Sequence, residues 1–201
     1  MKKRNILVLF LIACICFGYC VKNVGATAIV GIVQDGRVWI GGDCRALSGY
    51  EITDYVQKVF KSEDGRFIIG FAGLLKSGQV LQYFLEVPPQ NDNQTVFEFM
   101  VKTFVPAMQK SLSEKGANAN TIEILVGYKS QLFLIDSESI VIEATHRGFS
   151  AIGSGRSYCL GSLCATSGKE MGPEQRIKMA LEAATRFSAA VAAPFDILTL
   201  P

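Results

Sequence analysis

Residues 27–46 read TAIVGIVQDGRVWIGGDCRA, and this stretch decides the architecture. TAIVGIV (27–33) is an apolar run rich in β-branched residues. Asp35-Gly36 is a two-residue turn, and VWIGG (38–42) returns in the same character. Asp-Gly between two such runs is the strongest short-range signal for a β-hairpin. Working outward, 56–61 and 66–71 flank Glu63-Asp64-Gly65 and read as a second hairpin. Residues 74–85 carry Leu75, Val80, Leu81, Phe84 and Leu85 at helical spacing and stop before Pro88-Pro89. A second helix is expected over 96–112, with Phe97, Met100, Val101, Phe104, Val105 and Met108 on one face. Short strands follow at 122–126, 132–135 and 140–144, then a helix through Tyr158 to Ala165 and another from Pro173 to about Ala190. Strands, two helices, strands, two helices imply a layered α/β (α+β) sandwich with mostly antiparallel sheets. No repeat or low-complexity linker divides residues 27–201.

Composition narrows the function classes. The 201 residues are 49% hydrophobic and 19% charged with a net charge of +2, which suits one globular domain and excludes intrinsic disorder. Lys2, Lys3, Arg4 and Lys22 stand in an N-terminal segment without acids, so residues 27–201 hold 16 basic and 18 acidic side chains. A polybasic nucleic-acid surface is thereby excluded, since phosphate binding needs clustered Lys and Arg. The single histidine, His146, argues against a His-rich metal site or a Ser-His-Asp triad. Cys44, Cys159 and Cys164 are odd in number and lack zinc-ligand spacing, and read as small buried hydrophobes. Neither a metal nor a cofactor is expected.

Residues 1–26 read as a leader. Lys2-Lys3-Arg4 precedes the uncharged run ILVLFLIACICFGYCV (6–21), short of the roughly 20 residues a bilayer span needs but normal for a secretory signal. Val24 and Ala26 offer small residues at −3 and −1, so a signal peptidase would cut before Thr27. Export to the periplasm or medium is then expected. An uncleaved anchor, a lipoprotein signal at Leu11-Ile12-Ala13-Cys14 and a self-removed propeptide in a cytoplasmic protein remain open.

The ordered set of Thr27, the hairpin, Gly41-Gly42-Asp43, QKVF (57–60), GFAG (70–73) and IGSG (152–155) resembles the proteasome β-subunit family, most of all its bacterial HslV-like peptidases. The resemblance implies the four-layer αββα sandwich of N-terminal nucleophile hydrolases and a threonine-type peptidase. By that resemblance Thr27 is the nucleophile, Lys58 the catalytic lysine and Asp43 the acid that orients it. Gly73 carries the oxyanion N–H, Ser154 bonds the terminal amine, and Ala46, Leu47 and Phe71 contact substrate. The chemistry is coherent with one histidine. A threonine hydroxyl needs an adjacent base, and a free α-amino group of pKa about 7.7–8.0 can serve. A nearby ammonium lowers that pKa further. Peptides or unfolded proteins are the implied substrate, and a ring-shaped homo-oligomer with an ATP-dependent unfoldase the implied setting.

Three departures stand out. Leu74 replaces a second glycine beside the oxyanion position. Leu47 replaces a small polar residue on the substrate strand. Arg186 stands where HslV-like peptidases carry an acid, with Ser188 as a partial substitute. A small-amide hydrolase of the same fold and a catalytically silent ring subunit are the rival readings.

Overall fold

In a computed structural model of the chain, residues 27–48, 51–53 and 55–201 are described. The leader expected over 1–26 lies outside them. Eleven strands are present among the described residues: β1 Ile29–Gln34, β2 Arg37–Asp43, β3 Ala46–Ser48, β4 Glu51–Thr53, β5 Val59–Lys61, β6 Ile68–Gly73, β7 Ile122–Tyr128, β8 Gln131–Ile135, β9 Val141–Glu143, β10 Phe149–Ile152 and β11 Phe195–Leu200. The helices are α1 Leu75–Phe84, α2 Val96–Phe99, α3 Val105–Glu114, α4 Arg156–Ala165 and α5 Pro173–Phe187.

The first hairpin forms as its residues dictate. Gln34 pairs with Arg37 across Asp35 (φ 53°) and Gly36 (φ 70°). Positive φ at both central positions is the turn whose twist matches that of the flanking strands. The same hairpin supplies the middle of a four-stranded antiparallel sheet ordered β10-β1-β2-β11. A five-stranded antiparallel sheet, β5-β6-β7-β8-β9, faces it, and β3 and β4 make a separate two-stranded ribbon.

Alternation along the strands divides the core into three layers. Ile29, Ile40, Val59, Ile68, Ala72, Leu125, Leu134 and Ile152 fill the space between the sheets. On its other face the five-stranded sheet sends Phe67, Ile69, Phe71, Ile124 and Val126 into α1, α2 and α3. The four-stranded sheet sends Ala28, Val30, Ile32 and Ala151 into α4 and α5. Helix, sheet, sheet, helix: this is the αββα sandwich.

Three differences from the pattern reading have physical causes. The helix expected over 96–112 is interrupted by a π-helical turn, Met100–Phe104, in which the Val105 N–H donates to the Met100 carbonyl. Pro106 follows at once, with no N–H to give and a ring that crowds the preceding turn, so the wider turn accommodates it. The last helix ends at Phe187 and not near Ala190, because Ser188 is already extended (φ −123°, ψ 111°). Strands β10 and β11 carry no periodicity of their own. They exist because β1 and β2 offer them open edges, Ile29 pairing with Ile152 and Phe195 with Asp43.

Candidate active site

Antiparallel pairing gathers the ends of five strands at one end of the sandwich. Thr27 precedes β1 and Asp43 closes β2. Lys58 precedes β5, Gly73 closes β6 and Ser154 follows β10. The registers Ile29↔Gly42, Ile29↔Ile152 and Val59↔Gly70 align these ends.

Thr27, Asp43 and Lys58 are buried, at 3%, 0% and 1% exposure. Lys58 Nζ lies 3.1 Å from Asp43 Oδ2 and also donates to the Arg45 carbonyl. Asp43 accepts two backbone donors as well, Ala28 N–H at 2.8 Å on Oδ1 and Arg45 N–H at 3.2 Å on Oδ2. One carboxylate therefore ties the lysine to the peptide that follows Thr27. Burial disfavours both charges, pushing the Asp43 pKa up and the Lys58 pKa down, while each partner's opposite charge works against the shift.

Around Thr27 the backbone is closely fitted. Its N–H donates to Ser154 Oγ at 3.3 Å, and the Ser154 hydroxyl donates to the Thr27 carbonyl at 3.3 Å. The Gly155 N–H reaches the same carbonyl at 3.2 Å. Gly153 (φ +84°) leaves no room for a side chain: a Cβ there would sit 2.3 Å from the Thr27 carbonyl oxygen. Gly73 (φ +134°) is under the same constraint from the Thr121 carbonyl, 2.2 Å from where its Cβ would be. Both positions require glycine.

Of the expected substrate contacts, Ala46 is buried at 4% exposure and the Leu47 side chain lies outside the described residues. Phe71 corrects the expectation. At 1% exposure its ring is packed against Gly78 of α1, in the helix-facing core. Strand parity is the reason, because Ile68 and Ala72 face the other sheet and Phe71 between them cannot. Arg186 is exposed, and Ser188 donates its N–H to the Ala184 carbonyl at the end of α5.

Two groups stand outside the residues expected from the sequence, the backbone acceptor at Arg45 and Glu123. This half-buried acid on β7 accepts the Gly153 N–H at 3.3 Å. Its signal was a lone acid in the apolar run IEILVGY. Cys44 and Cys159 are buried as expected, with the Cys44 thiol pushed up to about 12 by burial and then by Asp196, whereas Cys164 is exposed.

The sequence profile described as "Proteasome subunit" matches residues 24–191. The chain belongs to the proteasome subunit family. The "ATP-dependent protease subunit HslV" of Cytophaga hutchinsonii is 30% identical over 153 residues, covering 72% of this chain and 78% of that protein. Its namesake from Treponema denticola is 25% identical over 152 residues, covering 72% and 79%. Among solved structures, Thiobacillus denitrificans BPH superposes with a TM-score of 0.72 at 20% identity, over 86% of this chain and 97% of that one. The eukaryotic HslV of Trypanosoma brucei gives 0.64 at 18% identity, over 86% and 98%. These likenesses establish the N-terminal nucleophile hydrolase fold, and the family membership supports a peptidase of that type.

Proposed function

We propose that this chain is a threonine peptidase whose nucleophile is Thr27. The observation that carries the reading is the Asp43 carboxylate, which joins Lys58 on one oxygen to the Ala28 N–H on the other, one residue from the hydroxyl that would react. Once the Ala26–Thr27 bond is cut, the Thr27 nitrogen becomes an amine. The Thr27 hydroxyl then attacks an amide carbonyl while that amine takes the proton. Lys58, held by Asp43, keeps the amine basic yet unprotonated by placing positive charge beside it. The Gly73 N–H stabilises the oxyanion, an interaction worth roughly 10²–10³ in rate. Collapse passes the proton to the departing amine and leaves an ester on Thr27. Water, activated by the same amine, hydrolyses that ester.

The setting belongs to the same proposal. The chain works as a ring-shaped homo-oligomer on peptides or unfolded proteins. The name of the HslV relatives supports an ATP-dependent unfoldase as partner. Export follows if residues 1–26 are a signal peptide, and cytoplasmic action follows if Thr27 removes them itself.

The test is Thr27→Ala, assayed on a fluorogenic peptide and weighed by mass spectrometry. Hydrolysis should vanish while the fold persists, because one hydroxyl and little buried area are lost. Active wild-type protein should begin at Thr27. A variant that still sheds residues 1–26 assigns the cut to a host peptidase, and one that retains them assigns it to Thr27. Near-wild-type turnover by Thr27→Ala, or an active protein with its leader attached, would sink the reading.

A further inference from the structure

Strand β7 carries one acid in an otherwise apolar face. Glu123 has the parity of Leu125, whose side chain lies between the two sheets, and it is paired with Ala72, which lies there too. From this position its carboxylate crosses from the five-stranded sheet to the four-stranded one and accepts the Gly153 N–H at 3.3 Å. The layer it crosses is filled by aliphatic side chains. On the receiving side, Gly153, Ser154 and Gly155 are the residues that close on Thr27. Ser154 exchanges hydrogen bonds with the Thr27 backbone, Gly155 N–H holds the Thr27 carbonyl, and Gly153 lies too close to that carbonyl to bear a side chain. On its own side Glu123 is the neighbour of Ile122, the partner of Gly73 across the β6–β7 ladder. The acid thus links the strand pair that ends in Gly73 to the loop that cups Thr27.

We propose that Glu123 is a positioning residue for the peptidase site: its carboxylate clamps the Gly153–Gly155 loop across the sheets and so sets Thr27 against the Gly73 N–H. This rests on the Thr27 reading above. The Gly153 N–H to Glu123 bond holds the loop from the opposite sheet. A loop held by few such bonds shifts when one is removed, and misplacement of about 1 Å can cost 10²-fold in rate. What matters in this role is reach. A glutamine keeps the length and an acceptor oxygen for the Gly153 N–H. An aspartate keeps the charge but is one methylene short of the loop.

The experiment uses the full chain, with kcat and KM on a peptide substrate and thermal unfolding for Glu123→Gln, Glu123→Asp, Glu123→Ala and Thr27→Ala. Glu123→Ala and Glu123→Asp should lower kcat by roughly 10- to 100-fold with KM within about twofold, since the loop orients the nucleophile rather than the substrate. Glu123→Gln should keep at least a third of kcat. A wild-type kcat in Glu123→Ala would overturn the proposal. So would an active aspartate beside a dead glutamine, which would make charge and not reach the cause, or a glutamine variant that fails to fold. Activity in Thr27→Ala would instead sink the nucleophile assignment, whatever the Glu123 series does.

Discussion

The two helical layers are packed by different rules. Beneath α2 and α3 the five-stranded sheet is met by aromatics: Phe67 stacks on Tyr128 at 4.6 Å between ring centroids and lies 5.2 Å from Phe104. Beneath α4 and α5 the buried contacts are aliphatic, with the small residues Ala28, Ala151, Cys159, Ala180 and Ala184 set among Val30, Ile32, Leu163, Ile177 and Leu181. A Cβ on Gly155 would fall 2.7 Å from that of Ala28 and 3.1 Å from that of Ala184, and one on Gly41 would fall 2.5 Å from Ile177. The aromatic layer buries the larger area per side chain and so carries more of the stability. The small residues of this layer bring helix and strand backbones close beside β1, which Thr27 precedes. The aromatic layer serves stability; the other packs beside the proposed reacting end.

The polar cluster at the strand ends should break most sharply. Lys58→Ala and Asp43→Ala should each remove most of the peptidase activity, and the double variant should be scarcely slower than either, because residues acting as one unit are strongly non-additive. Removing one member of a buried pair also costs about 3–5 kcal/mol. The double variant should recover part of that loss, since it leaves no unpaired charge. A double-variant cycle in chemical denaturation and in kcat/KM reads both quantities. Losses that multiply in kcat/KM would show that Asp43 and Lys58 act separately.

The contrast between layers gives a second pair of variants. Phe104→Ala should destabilise by about 3–5 kcal/mol, leaving an unfilled aromatic site, while the folded fraction keeps its specific activity. Ala184→Leu should destabilise by only about 1–3 kcal/mol through overpacking. It should nonetheless lower kcat, because the Ala184 methyl lies 3.1 Å from where a Cβ on Gly155 would be and Gly155 holds the Thr27 carbonyl. Urea unfolding alongside activity per folded molecule separates these cases. An Ala184→Leu variant as active as wild type would dissolve the distinction between the layers.

Much of the frame was legible because local chemistry dictates it. Asp35-Gly36 can make one kind of turn, Pro88-Pro89 lies beyond where α1 stops, and the apolar spacing of 96–112 marks a helical stretch. Strands β10 and β11 were not legible, since four and six residues respectively gain their ladders only from β1 and β2. The candidate site came from family resemblance and not from spacing. Nothing in the interval between Asp43 and Lys58 says that two antiparallel sheets will bring them within 3.1 Å. Parity alone sends Phe71 to the helices, because Ala72 beside it faces the other sheet and only one face of β6 meets the helices. Glu123 could have been found by the same counting: an acid in phase with Leu125 points between the sheets and needs a partner.

The smallest effect belongs to α2, which packs in the aromatic layer. Thr95 caps α2 in a reciprocal box, its Oγ1 accepting the Glu98 N–H at 3.1 Å while the Glu98 carboxylate accepts the Thr95 N–H at 3.1 Å. Thr95→Ala should cost about 1 kcal/mol and leave kcat unchanged, since the cap serves the aromatic layer alone. The same box makes a weak acid sensitivity. Lys102 first, and then Thr95, hold the Glu98 pKa near 2, down from an ordinary value of 4.5. A carboxylate whose folded pKa is depressed contributes stability that is present above its unfolded value and lost as pH falls toward the folded one. Wild-type stability should therefore decline between about pH 4.5 and 2 by a small increment that Glu98→Gln abolishes. Because the Glu98 side chain is 42% exposed, salt should weaken that increment. Denaturation midpoints across this range at low and high ionic strength measure it, and an unchanged acid profile in Glu98→Gln would remove the cap from the account of the aromatic layer.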